Sequence, residues 1–359
     1  MGKIRVAIAG LGNCASSIIQ GVYYYSDASE GETVPGLMHV NFGGYYPKDI
    51  EFVSVFEVNK LKIGKDVSDA IFAKPNCVRK FAEVPELGVK VLPGPIMDGV
   101  APHMVESFYC YDPKDMEPAD VAEVLRDTKA DVFVNFLPVG SAEASRYYAK
   151  ASLEAGCAFA NCIPEFIASD PVWASRFEEA GLPVAGDDIK SQIGATILHR
   201  VLVNLLLDRG VKIDETYQLN IGGNTDFENM TVEERLKTKR ISKTEAVTSI
   251  TPYNIPVRIG PSDYVPFLED QKICYIRLRG KKFGDMPVSL EVKLSVEDSP
   301  NSAGMVIDLI RAVKLALDRK ISGPLISISS YAFKHPPTQV QDHIARQWVE
   351  EFIQGKRER

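Results

Sequence analysis

Residues 4–22, IRVAIAGLGNCASSIIQGV, decide the reading of the fold. Residues 4–9 are a short, β-branched, apolar run, the texture of a strand covered on both faces of a parallel sheet. The run meets Gly10-Leu11-Gly12-Asn13-Cys14-Ala15 and passes into a helical pattern through Ile18, Ile19 and Val22. This is G-x-G-x-x-A between a strand and a helix, the setting in which such a loop binds a dinucleotide. Gly10 permits the tight turn, and Gly12 lets backbone N–H groups reach a pyrophosphate. A residue as small as Ala15 lets the helix pack close to the strand. Asn13 and Cys14 complete the expected cofactor loop.

The acid that meets the adenosine ribose should close the second strand. After an insertion at residues 26–50, the next apolar run is 52–56, and Glu57 ends it. A carboxylate there accepts from the ribose hydroxyls and repels a 2′-phosphate, which favours NAD over NADP. Helix and strand then alternate. A helix spans 118–129 and a strand 131–137. Ser141 caps a helix that Gly156 stops. A strand covers 157–161, Pro171 opens a helix, and 182–185 is a strand. The alternation predicts an α/β fold, a doubly wound Rossmann-type parallel sheet. Leu137, Pro138 and Asn161 then stand at strand ends, lining the nicotinamide crevice.

Residues 186–192, GDDIKSQ, open a long helix over 194–209. Backbone N–H groups at its start form an anion site to which Ser191 adds a hydroxyl. Asp187 and Asp188 read either as helix caps or as groups that position a lysine. Beyond Gly210 the texture changes. Residues 212–221, 272–278 and 288–296 read as strands of a mostly antiparallel sheet in a second, α+β domain. A helix over 301–319 should pack back on the first domain, 324–330 reads as a late strand, and 339–354 as an amphipathic helix. The dinucleotide domain is then 1–195 completed by 302–359, and 196–301 forms a catalytic and oligomerisation domain.

Composition narrows the function. A chain of 359 residues suggests two domains. A net charge of −7 argues against nucleic acid as the partner, so any anionic ligand must meet a local cluster of cations. No apolar run is long enough to span a bilayer, which argues against a membrane partner. Six cysteines without CxxC pairing are the usage of a reducing compartment, and the expected location is cytoplasmic. Five dispersed histidines suggest neither a metal motif nor a Ser–His–Asp arrangement. The titratable residues recurring at loop positions are Asp188, Asp226, Lys239, Lys243, Lys272, Asp298 and Lys334. In a helix, Lys239 and Lys243 would share one face and repel, unless an anion sits between them. Taken alone, that pair reads as a solvated basic turn. A lysine crowded by other lysines or desolvated beside a cofactor acquires a lowered pKa and works as a general acid or base. A dinucleotide beside such a cluster implies redox chemistry on an anionic, oxygenated substrate. A sugar-phosphate or polyol dehydrogenase and a non-enzymatic NAD-binding regulator are the competing readings.

The segments GLGNCASS, VPGLMHV, LPVGS, IASDPVWA, GDDIKSQ, GGNTDFENM, KRISK, GPSDYV, EDSPNSAG and SYAFK occur in this order. Together they resemble the NAD-dependent inositol-3-phosphate (myo-inositol-1-phosphate) synthases, in their shorter bacterial form. The resemblance implies catalytic lysines at Lys239, Lys243, Lys272 and Lys334, and acids at Asp188, Asp226 and Asp298 that orient them. Asp188 would also touch the cofactor. Glucose 6-phosphate would be oxidised at C5, enolised, closed onto its C1 aldehyde and reduced again, with no net redox change. Lys334 and Lys239 would handle the C5 hydroxyl proton, and Lys272 would hold oxyanion charge at C1. Lys243, with Lys272 and backbone donors from Ser191 and Gln192, would hold the phosphate, which itself takes the C6 proton. The family is typically a homotetramer, and its use of ammonium or a divalent cation leaves the ion open. Two departures weaken the carry-over. Glu57 stands where an Asp is expected, and SQIGAT lacks the glycine that follows the serine in longer members.

Overall fold

The computed structural model describes residues 2–359, apart from the side chains of residues 233, 236, 237 and 240. Strand β1 (Ile4–Ala9) enters the glycine loop and then α1 (Asn13–Tyr24). After β2 (Ile50–Glu57) come the single turn α2 (Val67–Ala70) and the short β3 (Val91–Pro93). Three further units follow: α3 (Val121–Asp127) with β4 (Val132–Asn135), α4 (Ala142–Ala155) with β5 (Ala158–Asn161), and α5 (Pro171–Glu179) with β6 (Pro183–Ala185). All these strands pair in parallel. β1 lies between β2 and β4, so the strand order reverses beside the glycine loop, where ligands of such sheets bind.

The chain then leaves the sheet through α6 (Ala195–Asp208) and builds a second one. Its strands are β7 (Lys212–Gly222), β8 (Val257–Tyr264), β9 (Gln271–Lys281) and β10 (Pro287–Glu297), in the order β10-β9-β7-β8. Between β7 and β8 lie α7 (Thr225–Asn229) and α8 (Lys237–Thr248). The pairs β10–β9 and β9–β7 are antiparallel, as expected, but β7–β8 is parallel. β8 was not expected at all: Gly260 and Pro261 interrupt its sequence, VRIGPSDY. Pro is tolerated because β8 is an edge strand.

The return to the first sheet runs through α9 (Asp298–Asp318). A fully buried helix shows little amphipathicity in its sequence, and here nearly every position from Ser302 to Val313 is buried. It packs with α1 on one face of the parallel sheet, while α3, α4 and α5 cover the other. The late strand expected over 324–330 is a correction. Only β11 (Gly323–Pro324) pairs, at the sheet's edge beside β6, and the following residues form α10 (Ile326–Ala332). The I-S-I-S alternation imitates a strand, but Ser327, Ile328, Ser329 and Ser330 are all buried. Burial on every side erased the helical period. Helix α11 (Asp342–Ile353) ends the regular structure.

One expected cap is replaced. Ser141 precedes α4, yet its hydroxyl donates to the Pro138 carbonyl at 2.5 Å. The α4 N-terminus is served by Asp98, whose carboxylate accepts from Glu143 N–H at 2.7 Å and Ala144 N–H at 2.8 Å. Gly156, at φ +72°, stops α4 as expected. Among the described residues, no helix is long and apolar enough to cross a membrane.

Candidate active site

One continuous cavity runs from the glycine loop to the lysines. At the loop end, Gly10 has φ +88°, and a Cβ there would lie 2.8 Å from the Phe136 carbonyl oxygen. Gly12 faces open space, with nothing within 4 Å of where its Cβ would be. It also caps α1 with no side chain bonded to the first-turn N–H groups. An open anion cradle at a helix start is what a dinucleotide pyrophosphate requires, so the residues present fit the cofactor. Gly10→Ala should therefore strain the loop and weaken binding of any dinucleotide there about tenfold or more in a fluorescence titration.

Glu57 closes β2 and lines the cavity. One carboxylate oxygen accepts from Leu11 N–H at 2.8 Å, the other from Val58 N–H at 2.7 Å. A brace that the sequence did not disclose stands behind it. Lys62, almost wholly buried, donates to the Leu11 carbonyl at 2.7 Å and to Asn76 Oδ1 at 2.8 Å, and lies 3.7 Å from Glu57. Asn13 Oδ1 accepts from Cys77 N–H at 2.8 Å, which ties the same segment to the loop. Cys14 lines the cavity beside Ser302, and burial pushes its thiol up to about 11. Ala15 is fully buried and keeps α1 close to the sheet.

Leu137, Pro138 and Val139 line the middle of the cavity. Asn161 does not, which corrects its expected cofactor contact. Its amide is fully buried, accepting from Asn135 at 2.9 Å and donating to Asp187 Oδ1 at 2.7 Å. Asp187 in turn accepts from the N–H groups of Ile167, Ala168 and Ser169, so it caps no helix. Burial pushes its carboxyl up to about 6.

At the far end a short antiparallel ladder brings residues 187–190 against 332–335. Lys334 N–H donates to the Asp188 carbonyl at 2.8 Å, and Lys190 N–H to Ala332 at 2.7 Å. Asp188 has φ +62°, a left-handed conformation that Asp adopts more readily than most side chains. Its Oδ1 accepts from Lys334 Nζ at 2.8 Å and Lys239 Nζ at 3.3 Å, and its Oδ2 from Ser242 Oγ at 2.5 Å. Burial alone would raise this carboxyl. The Lys239 and Lys334 ammonium groups overcome it and hold Asp188 well below the usual carboxylate range. Burial with the nearby Lys239 lowers Lys334 to about 8, despite Asp188. Lys239 goes the other way: burial opposes its charge, but Asp188, Asp226 and Asp298 outweigh burial and raise its pKa.

Lys272, from β9, reaches Asp298 at the start of α9 at 3.0 Å and lies 5.7 Å over the Phe227 ring. Lys243 is one helical turn beyond Lys239 in α8 and nearly buried. Burial and three neighbouring lysines, Lys239, Lys272 and Lys334, hold its pKa far below that of an ordinary lysine. It makes no hydrogen bond to a described residue. Asp226, from the first turn of α7, and Ser191 also line this end. Gln192 does not: its backbone N–H, the expected phosphate donor, donates instead to the Asn301 carbonyl at 2.9 Å, and its side-chain amide to the Gly36 carbonyl at 2.8 Å. Ser242 was missed, although it sits inside KRISK, one turn from Lys239. Asn220, Asn224 and Gln218 were also missed, and they line the cavity from the β7 side. Among the described residues, no group of three His, Cys, Asp or Glu is placed to hold a metal ion.

The inositol-3-phosphate synthase of Corynebacterium glutamicum is 55% identical to this chain, over 98% of both. The chain belongs to the inositol-3-phosphate synthase family. The family's sequence model, myo-inositol-1-phosphate synthase, matches residues 194–299, the span from α6 through the second sheet into α9. The inositol-3-phosphate synthase of Mycolicibacterium smegmatis is 53% identical over 99% of both chains. A myo-inositol-1-phosphate synthase-related protein from Thermotoga maritima, solved by crystallography, superposes with a TM-score of 0.78 at 26% identity, covering 98% of each chain.

Proposed function

We propose that this protein is an NAD-dependent inositol-3-phosphate synthase that converts glucose 6-phosphate to 1D-myo-inositol 3-phosphate. The carrying observation is that Lys334 and Lys239 share the buried Asp188 carboxylate inside the cavity that begins at the glycine loop. A cavity with only a cofactor loop would suit any dehydrogenase. One with opposed lysines of unequal basicity suits a reaction that moves several protons and returns its electrons.

Gly10, Gly12, Asn13 and Glu57 would hold the dinucleotide, with Leu137 and Pro138 at its nicotinamide. NAD, when bound, supplies an electron acceptor for C5 of the open-chain sugar phosphate and a donor to the same carbon after ring closure. Lys334, lowered to about 8, is matched to take the C5 hydroxyl proton near neutral pH and to return it. Lys239 keeps its charge and polarises the C5 oxygen, which acidifies C6. Lys272, oriented by Asp298, stabilises the oxyanion that forms at C1 when the C6 carbanion closes the ring. Lys243 and Ser191 hold the phosphate, whose oxygen takes the C6 proton. Asp226 adds to the field that keeps Lys239 charged.

The open face of the second sheet exposes Tyr217, Leu219 and Tyr275, which supports a homotetramer built on that face. Six free cysteines support a cytoplasmic location. Residues 1–195 with 302–359 serve as the NAD-binding unit, and 196–301 as the catalytic one.

The test is pure protein with glucose 6-phosphate and a catalytic amount of NAD, followed by NMR. Inositol monophosphate in excess over NAD is the expected product. NADH accumulating in step with an oxidised sugar would instead identify a sugar-phosphate dehydrogenase, and no turnover a regulator.

A further inference from the structure

Two buried cations outside the lysine pocket take no part in this chemistry. Lys190 and Arg200 are both fully buried, and both end on one carboxylate, Asp342 at the start of α11. Lys190 Nζ lies 3.1 Å from Oδ1, and Arg200 Nε 2.6 Å from Oδ2. Lys190 also donates to the Ser330 carbonyl at 3.0 Å. Arg200 donates to the Val340 carbonyl at 2.7 Å and to the carbonyl of Ala246. Each arm grips a different wall of the pocket. Lys190 stands two residues beyond Asp188, on the strand of the ladder that faces Lys334. Ala246 belongs to α8, the helix that carries Lys239 and Lys243.

We propose that Lys190, Asp342 and Arg200 form a positioning triad that fixes Lys334 against Lys239 across Asp188. This rests on the reading of Lys334 as the base at C5. α8 is polar along most of its length, so apolar packing alone holds it weakly. A cation anchored in α6 that grips a carbonyl near its C-terminal end sets its position relative to the ladder. Lys334 Nζ is tied to its own ladder by the Ile189 carbonyl at 2.6 Å. Removing either arm would therefore loosen α8 against that ladder and leave it held by the contacts of Lys239 and Ser242 with Asp188 and of Glu245 with His335, the last at 2.8 Å.

The triad also acts through charge. The charged and titratable groups facing Lys334 are Asp188, Lys239 and Lys243 from α8, Lys272 from β9, Asp298 from α9, the Cys162 thiol, and Lys190 from behind. Loss of the Lys190 charge makes Lys334 easier to protonate, so the acid limb of kcat moves to higher pH. Burial and Arg200 already lower Lys190 to about 8, and Asp342 is what sustains its charge. Loss of the Asp342 charge therefore lets Lys190 give up its proton, and the limb again moves to higher pH.

The test compares Lys190→Met and Asp342→Asn with the wild type. Lys190→Met leaves the Arg200–Asp342 pair in place, and Asp342→Asn keeps the shape of the carboxylate. Two readouts are taken: the pH profile of kcat, and competitive acetylation of Lys334 in the cofactor-free chain by peptide mass spectrometry. The expected result is a shift of about half a pH unit or more to higher pH in both variants, with kcat at neutral pH reduced about tenfold or more in both. Lys190→Arg should restore the wild-type profile. Unshifted limbs, or limbs shifted to lower pH, would overturn the proposal. So would failure of both variants to fold, which would make the triad a stability element alone. A wild type with inositol phosphate turnover but no limb belonging to Lys334 would overturn the role of Lys334 itself.

Discussion

Lys334→Met should bind NAD as tightly as the wild type and lose turnover by about 10²–10⁴-fold, the usual worth of a positioned acid–base group. The prediction separates the two ends of the cavity. The glycine loop, Glu57 and Lys62 lie on the first βαβ unit, and none touches Lys334. A titration of NAD against the variant should therefore look normal. The wild type should gain activity along an acid limb centred near about 8, because only the neutral amine can accept the C5 proton and Lys334 loses its proton there. That limb should vanish from the residual rate of the variant. Normal turnover in Lys334→Met would remove Lys334 from the chemistry.

Asp188→Asn should cost both activity and stability. The carboxylate is 1% exposed and stands between two ammonium groups. Removing one partner from a buried charge cluster leaves the rest uncompensated, typically by about 3–5 kcal/mol. Urea unfolding at neutral pH should show that loss as a lower midpoint with an unchanged slope. The pH dependence has a definite sign. Asp188 has a depressed folded-state pKa, so its contribution is complete above the unfolded value of about 3.9 and is lost as pH falls from there. A variant as stable as the wild type at neutral pH would mean that the lysines give up their protons in its absence.

Much of this was legible in local sequence, and the exceptions have physical causes. The strand, glycine turn and helix over 4–22 follow from periodicity and from the φ that Gly10 needs. β7, β9 and β10 announced themselves because one face of their sheet is solvated and their side chains alternate. α10 failed for the converse reason: a segment buried all round carries no period to read. β8 failed because an edge strand can hold a proline and still pair. In the site, residue types predicted the lysines and their acids, but not the direction in which Gln192 and Asn161 point. Both lie in motifs where neighbouring residues do face the cavity, and contacts distant in sequence, with Gly36 and with Asp187, decide their orientation. Lys62 gave no signal at all. One lysine of three in residues 60–65 looks like surface until the fold closes over it.

Lys243 has one consequence that calorimetry can measure. It lies among three other lysines, and burial with their charge depresses its basicity. An arriving phosphate dianion reverses that imbalance and raises its affinity for a proton. Substrate binding should then draw a proton from solution, and the measured heat should vary with the ionisation enthalpy of the buffer. The slope of that dependence counts the protons taken up. Lys243→Met should flatten it, and inorganic phosphate should reproduce part of it. The empty pocket would thus be a proton-poor state that the ligand's own charge completes.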